Sequence, residues 1–190
     1  MKYNDLLREF GANLEGCKGN KYVTTTHVIN SAIVKLSKLT IATKVYRGVG
    51  GGVLPESFWR PNKQGVKGGI EMAFMSTTFE RGVAMEYVKS DRGKPALVFE
   101  MQMGMVDRGA ELGWVSQYPH EKGERHTVLS TLIQTAYPPL PAFFLLLAEC
   151  VFAPLTGIEV LGTRVESAVL VIEARLSINL NALTIEQVDS

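Results

Sequence analysis

The sequence is poor in the residues that build disulfide frameworks and metal centres. Its 190 residues include only two cysteines, Cys17 and Cys150, which form neither a disulfide framework nor a CxxC metal site. The three histidines, His27, His120 and His126, do not have the spacing of zinc ligands. We therefore expect no metal, and the scarcity of cysteine favours a reducing, cytoplasmic compartment.

The sequence also lacks a long hydrophobic run and an excess of charge. The longest apolar run, Ala142–Ala148, is far shorter than the roughly 20 residues that a helix needs to cross a bilayer. The segment Met1–Leu14 carries charges and has no apolar core of a secretory signal. The formal net charge is +1, so bulk electrostatics attract the chain to neither nucleic acid nor an anionic membrane. We expect neither as a partner.

The common nucleotide-binding and hydrolase fingerprints are missing. No GxGxxG follows a strand, and neither a GxxxxGK[ST] loop nor a GxSxG elbow occurs. The run Gly50–Gly52 is too short to be specific by itself. The chain is 46% hydrophobic and 21% charged, which is ordinary for a soluble globular protein. Its length predicts one domain over residues 1–190.

Helical patterns lie in the N-terminal half, whereas strand patterns dominate the C-terminal half. The predicted helices are Tyr3–Phe10, Val23–Leu39 and Arg81–Lys89. The predicted strands are Thr43–Val49, Ala96–Met101, Cys150–Phe152, Ile158–Val165 and Ala168–Leu176, with Gly113–Lys122 as strand and loop. This segregation is typical of an α+β fold.

One of these helices and one of these strands have a pattern that predicts which residues are buried. The second helix has apolar residues at helical spacing, and its threonines offer N-cap oxygens. The stripe is Val28, Ala32, Leu36 and Leu39, with Ile29 and Ile33 beside it, and the threonines are Thr24, Thr25 and Thr26. The strand Ala96–Met101 is apolar nearly throughout, so we expect it to be buried on both faces.

The chain is organised around the stretch Gly68–Thr78. It predicts an extended strand that ends in three hydroxyl residues, Ser76, Thr77 and Thr78, just before the residues that lead into a helix. Such a strand end can hold a small polar group close to backbone donors. The alternative is that the threonines only cap the helix.

An arginine ends the preceding strand in Tyr46–Gly48. Next to a flexible glycine backbone, the guanidinium of Arg47 can present its fork of N–H donors to a pair of phosphates. The alternative is an ordinary ion pair on the surface.

Taken in order, three motifs resemble those of a known enzyme family. They are Tyr46–Gly48, Phe74–Thr78 and the segment Ser116–Lys122, which carries Glu121. They are similar to the arginine–serine–glutamate class of mono-ADP-ribosyltransferases, toxin-like enzymes that use NAD. The resemblance implies N-terminal helices packed on two antiparallel-rich β-sheets, with an NAD cleft between them and a core over residues 21–176.

The third motif of this family, Glu-x-Glu, is interrupted here. Gly123 stands where the second glutamate is expected, and the family-like continuation begins only at Glu149. We interpret Gly123–Ala148 as an insertion, either translated intron sequence or a lid or partner-binding loop. Glu124 is a second candidate for the missing glutamate, but its spacing is one residue too long. The alternative without a function for Glu121 and Glu124 is a solvated charged turn.

The resemblance assigns roles to seven residues. It implies catalytic roles for Arg47, Ser76, Glu149 and Glu121, and NAD contacts for Arg47, Gly48, Ser76, Thr77 and Phe79. It also implies that NAD is a substrate and that the acceptor is an arginine of an unknown protein. Two other functions remain open: a catalytically disabled NAD-fold binding module, and an NAD glycohydrolase that passes ADP-ribose to water. An unrelated α+β domain is the remaining alternative.

Overall fold

The computed structural model describes residues 2–8, 19–89, 95–113 and 150–178. These residues form four helices and eight strands. The helices are α1 (Lys2–Leu7), α2 (Val23–Ser37), α3 (Glu56–Trp59) and α4 (Arg81–Lys89). The strands are β1 (Lys44–Gly50), β2 (Gly68–Glu71), β3 (Met75–Thr77), β4 (Ala96–Gln102), β5 (Ala110–Glu111), β6 (Cys150–Phe152), β7 (Thr156–Glu166) and β8 (Val169–Ser177).

The strands form two sheets, and the predicted α+β class is confirmed. The larger sheet has the order β1-β4-β8-β7-β2, and the smaller sheet has the order β3-β6-β5. Only the β4–β8 pair is parallel among the described strand pairs. Strand β4 lies between two neighbours, and its residues Leu97–Met101 are all buried, as the apolar run predicted.

The main hydrophobic core lies between the two sheets. It joins Val45 and Phe99 of the larger sheet to Met75 and Phe152 of the smaller one. All four side chains are at most 5% exposed. Because full burial of such a side chain contributes roughly 1.5–3 kcal/mol, this layer holds the sheets face to face.

Helix α4 covers the outer face of the larger sheet. Its residues Ala84 and Val88 pack against Val98 and Val171. The helix approaches β1 so closely that a Cβ added at Gly48 would lie 2.5 Å from the carbonyl oxygen of Ala84. Glycine is therefore needed at position 48 for this packing.

Helices α1 and α2 cover the outer face of the smaller sheet. Leu7, Ile29, Ile33 and Leu36 pack there against a cluster that includes Phe74. The molecule is thus layered as helix, sheet, sheet and helices.

The predicted buried stripe of α2 is wrong in part. Val28 and Leu39 are 63% and 79% exposed, whereas Ile33 is 5% exposed. The stripe is rotated toward Ile29 and Ile33 because this face meets the smaller sheet.

The predicted N-cap of α2 is also wrong. The cap residue is Tyr22, in the left-handed conformation with φ 48°, and Thr24–Thr26 lie inside the helix. The side chain of Asn20 accepts a hydrogen bond from the Tyr22 amide at 2.9 Å. The turn before the helix is therefore set by an asparagine outside the helix instead of a threonine within it.

The stretch Gly68–Thr78 is two strands and not one. Gly68–Glu71 pairs with β7 in the larger sheet, and Met75–Thr77 pairs with β6 in the smaller sheet. The chain switches sheets at residues 72–74, where Ala73 and Phe74 are buried. Gly68 has φ 134°, and a Cβ there would lie 1.9 Å from the Ile158 carbonyl oxygen, so this sharp entry requires glycine.

Several predicted segments lie outside the described residues. They include the end of the first predicted helix at Glu9 and Phe10, the part of Gly113–Lys122 beyond Gly113, and the whole of Gly123–Ala148. In the part of the chain that the structure describes, no helix is long and apolar enough to span a bilayer.

Candidate functional site

Arg47 is a cation held between the two sheets. It alternates along β1 with Tyr46 and Gly48, which face α4, and it shares its face with Val45 and Val49 of the main core. Its side chain is 24% exposed. Burial lowers the pKa of Arg47, and the nearby Glu71 carboxylate acts in the opposite direction. A guanidinium nevertheless remains protonated at physiological pH.

The backbone next to Arg47 is joined to the strand that carries the hydroxyl run. Tyr46 and Thr78 exchange two backbone hydrogen bonds, with N···O distances of 2.8 and 2.9 Å. This isolated bridge ties β1 of the larger sheet to the end of β3 in the smaller sheet. As a result, Arg47 Nη1 donates a hydrogen bond to the backbone oxygen of Ser76 at 3.0 Å, across 29 residues of sequence. The structure brings these two predicted residues together.

The three hydroxyl residues have different surroundings. Ser76 is half-buried and is paired with Val151, whereas Thr77 is buried and donates its hydroxyl to the Cys150 oxygen at 2.9 Å. The Thr78 hydroxyl accepts a hydrogen bond from the Glu80 amide at 3.1 Å. Thr78 thus shapes the turn before α4, which agrees with the alternative of a capping role for this residue.

Gly48 and Phe79 both have packing roles in the described structure. Gly48 admits α4, and Phe79 lies against the main core. An NAD contact by either residue stays a prediction.

Two residues that the sequence did not single out complete the surroundings of Arg47. Glu71 Oε2 lies 3.8 Å from Arg47 Nη2. The same carboxylate accepts hydrogen bonds from Arg8 Nε and Nη2, both at 3.0 Å, and from the Ala73 amide at 3.0 Å. Arg8 and Glu71 are 63 residues apart, and neither belongs to a motif. No local pattern could have found this pair.

The predicted catalytic glutamates lie outside the described residues. This applies to Glu149, Glu121 and the second candidate Glu124. Cys150, which follows Glu149 in the chain, is described, and it is paired with Thr77 one residue from Ser76. Within residues 2–8, 19–89, 95–113 and 150–178, no group of three or more His, Cys, Asp or Glu side chains could hold a metal ion.

Comparison with known proteins identifies the fold. No protein-family model matches the chain, and no curated protein sequence matches it significantly. Among solved structures, ADP-ribosyltransferase HopU1 of Pseudomonas syringae matches 83% of this chain at 19% identity, with a TM-score of 0.53. ADP-ribosyltransferase Vis in complex with agmatine matches 96% of this chain at 18% identity, with a TM-score of 0.58. Vis is also described as a toxin from Vibrio splendidus.

The fold is that of an ADP-ribosyltransferase. The predicted fold class, helices on two antiparallel-rich sheets, is confirmed. The chain spans 55% of the length of HopU1 and 70% of the length of Vis. At these identities the likeness concerns the fold, so the roles of individual residues and the reaction are proposals.

Proposed function

We propose that the chain is an NAD-dependent mono-ADP-ribosyltransferase that modifies arginine side chains of an acceptor protein. The observation that carries the proposal is the contact between Arg47 and Ser76, formed by the bridge that joins the two sheets. Two motifs that the family resemblance linked thus meet at one place in an ADP-ribosyltransferase fold.

Arg47 supplies the cation for the diphosphate of NAD. Among the described residues, its guanidinium makes one hydrogen bond, to Ser76, and one longer approach, to Glu71. A guanidinium has five N–H donors, so several stay available for phosphate oxygens. A half-buried cation also interacts more strongly with an anion than an exposed one, because water screens it less.

Glu149 supplies the negative charge that the reaction needs. When nicotinamide leaves with the bonding electron pair, the ribose develops oxocarbenium character, as in glycoside cleavage. A carboxylate beside that sugar stabilises the developing positive charge. Glu149 directly precedes Cys150 in the sequence, and the pairing of Cys150 with Thr77, next to Ser76, supports assigning this glutamate to the site. We assign Ser76 to orient this glutamate and Thr77 to support the strand end.

Glu121 is assigned to the acceptor. A carboxylate can orient a guanidinium and take the proton that its nitrogen loses as the new bond to the ribose forms. The nicotinamide–ribose bond breaks in the same exchange, so no oxidant or reductant is needed. Vis was solved with agmatine, which carries the guanidinium group of an arginine side chain. This observation about Vis favours arginine as the acceptor here.

The described residues on either side of the connection that carries Glu121 and Glu149 are neighbours in the smaller sheet. Glu111 and Cys150 are paired, and so are Ala110 and Val151. A loop whose ends the sheet already holds together can be lengthened at small cost, because closure entropy grows slowly with length. The proposed insertion, Gly123–Ala148, is therefore compatible with the two sheets.

A reaction with agmatine tests the proposed function. We expect incubation with NAD and agmatine to release nicotinamide and to form ADP-ribosylagmatine, detected by mass spectrometry. Nicotinamide release without the adduct would identify a glycohydrolase. NAD binding without nicotinamide release would identify a disabled binding module, and no NAD binding at all would refute the proposal.

A further inference from the structure

Next to Arg47, Arg8 and Glu71 form an ion pair with two side-chain hydrogen bonds. Arg8 gives one N–H to each carboxylate oxygen of Glu71, and the Ala73 amide gives a third hydrogen bond. Both side chains are largely buried, with 26% of Arg8 and 17% of Glu71 exposed. Two-point Arg–carboxylate pairs of this kind are the strong ones.

Arg47 competes for the same carboxylate but at a longer distance. Its Nη2 lies 3.8 Å from Glu71 Oε2, compared with 3.0 Å for Arg8. Arg8 thus occupies both carboxylate oxygens of Glu71 at hydrogen-bond distance, whereas Arg47 does not reach that distance. Among the described residues, the cluster holds two cations, Arg8 and Arg47, and one anion, Glu71. Arg47 makes one hydrogen bond there, compared with two for Arg8, and so keeps more of its N–H donors available.

The N-terminal helix fixes Arg8 in this position. The side-chain Nδ2 of Asn4 donates a hydrogen bond to the backbone oxygen of Phe74 at 3.2 Å, and Leu7 packs in the cluster that contains Phe74. The Arg8 amide donates to the Asn4 oxygen at 3.0 Å, which continues the helical turn. Helix α1 is thus attached to residues 71–74, where the chain crosses between the sheets.

We propose that Arg8 is a positioning residue that binds Glu71 and thereby leaves Arg47 free for the diphosphate of a dinucleotide. This inference rests on the proposed function, because it takes Arg47 as the phosphate contact. Without Arg8, the Glu71 carboxylate loses its two-point partner and closes the gap to Arg47. The diphosphate must then displace a carboxylate from a half-buried cation before it can bind.

The test is a mutant cycle with two ligands. Binding of NAD and of inorganic pyrophosphate is measured by calorimetry for wild type, Arg8→Met, Glu71→Gln and the double variant. Methionine keeps the apolar stem of Arg8 and removes the charge. Arg47→Ala serves as the positive control. Arg175→Met serves as the negative control, since Arg175 forms a more exposed pair with Glu159, through one carboxylate oxygen, outside the cluster. Circular dichroism and thermal melts confirm that each variant is folded.

We expect Arg8→Met to weaken the binding of both ligands by about tenfold, the effect of a partly buried ion pair that must be broken first. Adding Glu71→Gln should restore the affinity, because no anion then competes for Arg47. Glu71→Gln alone should bind as tightly as wild type or more tightly. A purely structural role for Arg8 predicts no such rescue.

The outcomes separate this inference from the proposed function. If Arg47→Ala weakens NAD binding but Arg8→Met does not, or if the double variant stays weak, the role of Arg8 is refuted and the function stands. If pyrophosphate shows the full pattern but NAD does not bind, the function is refuted and the anion site stands. If wild type binds neither ligand, both are refuted.

Discussion

At the scale of single residues, Arg47 is the centre of the candidate site. Its guanidinium is half-buried, contacts the Ser76 oxygen and faces Glu71 at a distance too long for a hydrogen bond. An ordinary ion pair on the surface is the alternative role for this arginine. Arg47 contacts Ser76, which is 29 residues away in the sequence, and this contact favours a role in the folded site over a surface ion pair.

Replacing Arg47 by lysine and by alanine separates charge from geometry. Lysine keeps the charge but loses the planar fork, so we expect NAD binding to weaken by about tenfold for Arg47→Lys and further for Arg47→Ala. Isothermal titration calorimetry measures both. The matched control is Arg60→Lys, a 71% exposed side chain that should leave binding unchanged. An unchanged dissociation constant for Arg47→Ala would contradict the diphosphate role.

Gly48 gives a second prediction at this scale. A Cβ there would press on the Ala84 backbone at 2.5 Å and on the Tyr87 and Val88 side chains at 3.0 and 3.1 Å. We therefore expect Gly48→Ala to lower the free energy of unfolding by about 1–3 kcal/mol, the usual cost of overpacking. Urea denaturation measures it. The control is Gly82→Ala in helix α4, where an added Cβ would meet no atom within 4 Å outside the neighbouring residues and backbone of its own helix, so stability should be unchanged or slightly higher. Equal stability of the two variants would contradict the packing role.

At the scale of elements, the sequence predicted what local patterns determine. The apolar run Ala96–Met101 predicted a buried strand, and the helix Arg81–Lys89 was placed with the correct ends. The stretch Gly68–Thr78 was predicted as one strand, because no local signal shows that Glu71 and Met75 pair with different sheets. The face of α2 was misjudged for the same reason: Val28 and Ile33 are equally apolar, and only tertiary packing decides between them.

The candidate site was predictable to the same limited degree. Arg47 and Ser76 belong to short motifs whose order along the chain carried the inference, and the structure brings them into contact. Arg8 and Glu71 could not be found, because a charged pair 63 residues apart leaves no periodic or spaced pattern in the sequence. The roles of Glu121 and Glu149 stay predictions.

A network of charges links three strands of the larger sheet. Glu100 on β4 accepts hydrogen bonds from Lys44 on β1 at 2.5 Å and from Arg164 on β7 at 2.7 Å. Burial acts to raise the pKa of Glu100, but these two bonds and the nearby charges outweigh it and lower the pKa below its usual value of 4.5. A carboxylate of this kind stabilises the fold where it is ionised and ceases to do so as it takes up a proton.

The network predicts a loss of stability in acid. The contribution of Glu100 should be complete above about pH 4.5 and should fall as the pH drops through its lower folded-state pKa. Urea denaturation at a series of pH values measures this. Glu100→Gln should be less stable at pH 7 and should show a shallower decline below pH 4.5. An unchanged decline would show that Glu100 does not contribute to the acid sensitivity.

At the scale of the whole molecule, two sheets meet in a fold shared with ADP-ribosyltransferases. The Tyr46–Thr78 bridge joins the sheets beside Arg47, and the Thr77–Cys150 pair brings in the strand that follows Glu149. The pairing of Glu111 with Cys150 closes the long connection between β5 and β6 at its base.

Deleting Gly123–Ala148 tests whether this connection is foreign to the fold. Because Glu111 and Cys150, on either side of the connection that carries this segment, are paired, we expect the shortened chain to fold. Its solubility and its rate of nicotinamide release should rise if the segment is an insertion. A transcript encoding Lys122 next to Glu149 would agree. A loss of activity, or a transcript that contains the whole segment, would instead identify a functional loop.

The most direct measurement is nicotinamide release from NAD by four chains: wild type, the Gly123–Ala148 deletion, and each of these with Glu149→Gln. We expect release by the deletion variant, and a loss of release in both Glu149→Gln variants with NAD binding and the folded structure preserved, because a glutamine leaves the positively charged sugar without its anion. Release that persists at an undiminished rate after Glu149→Gln would contradict the account.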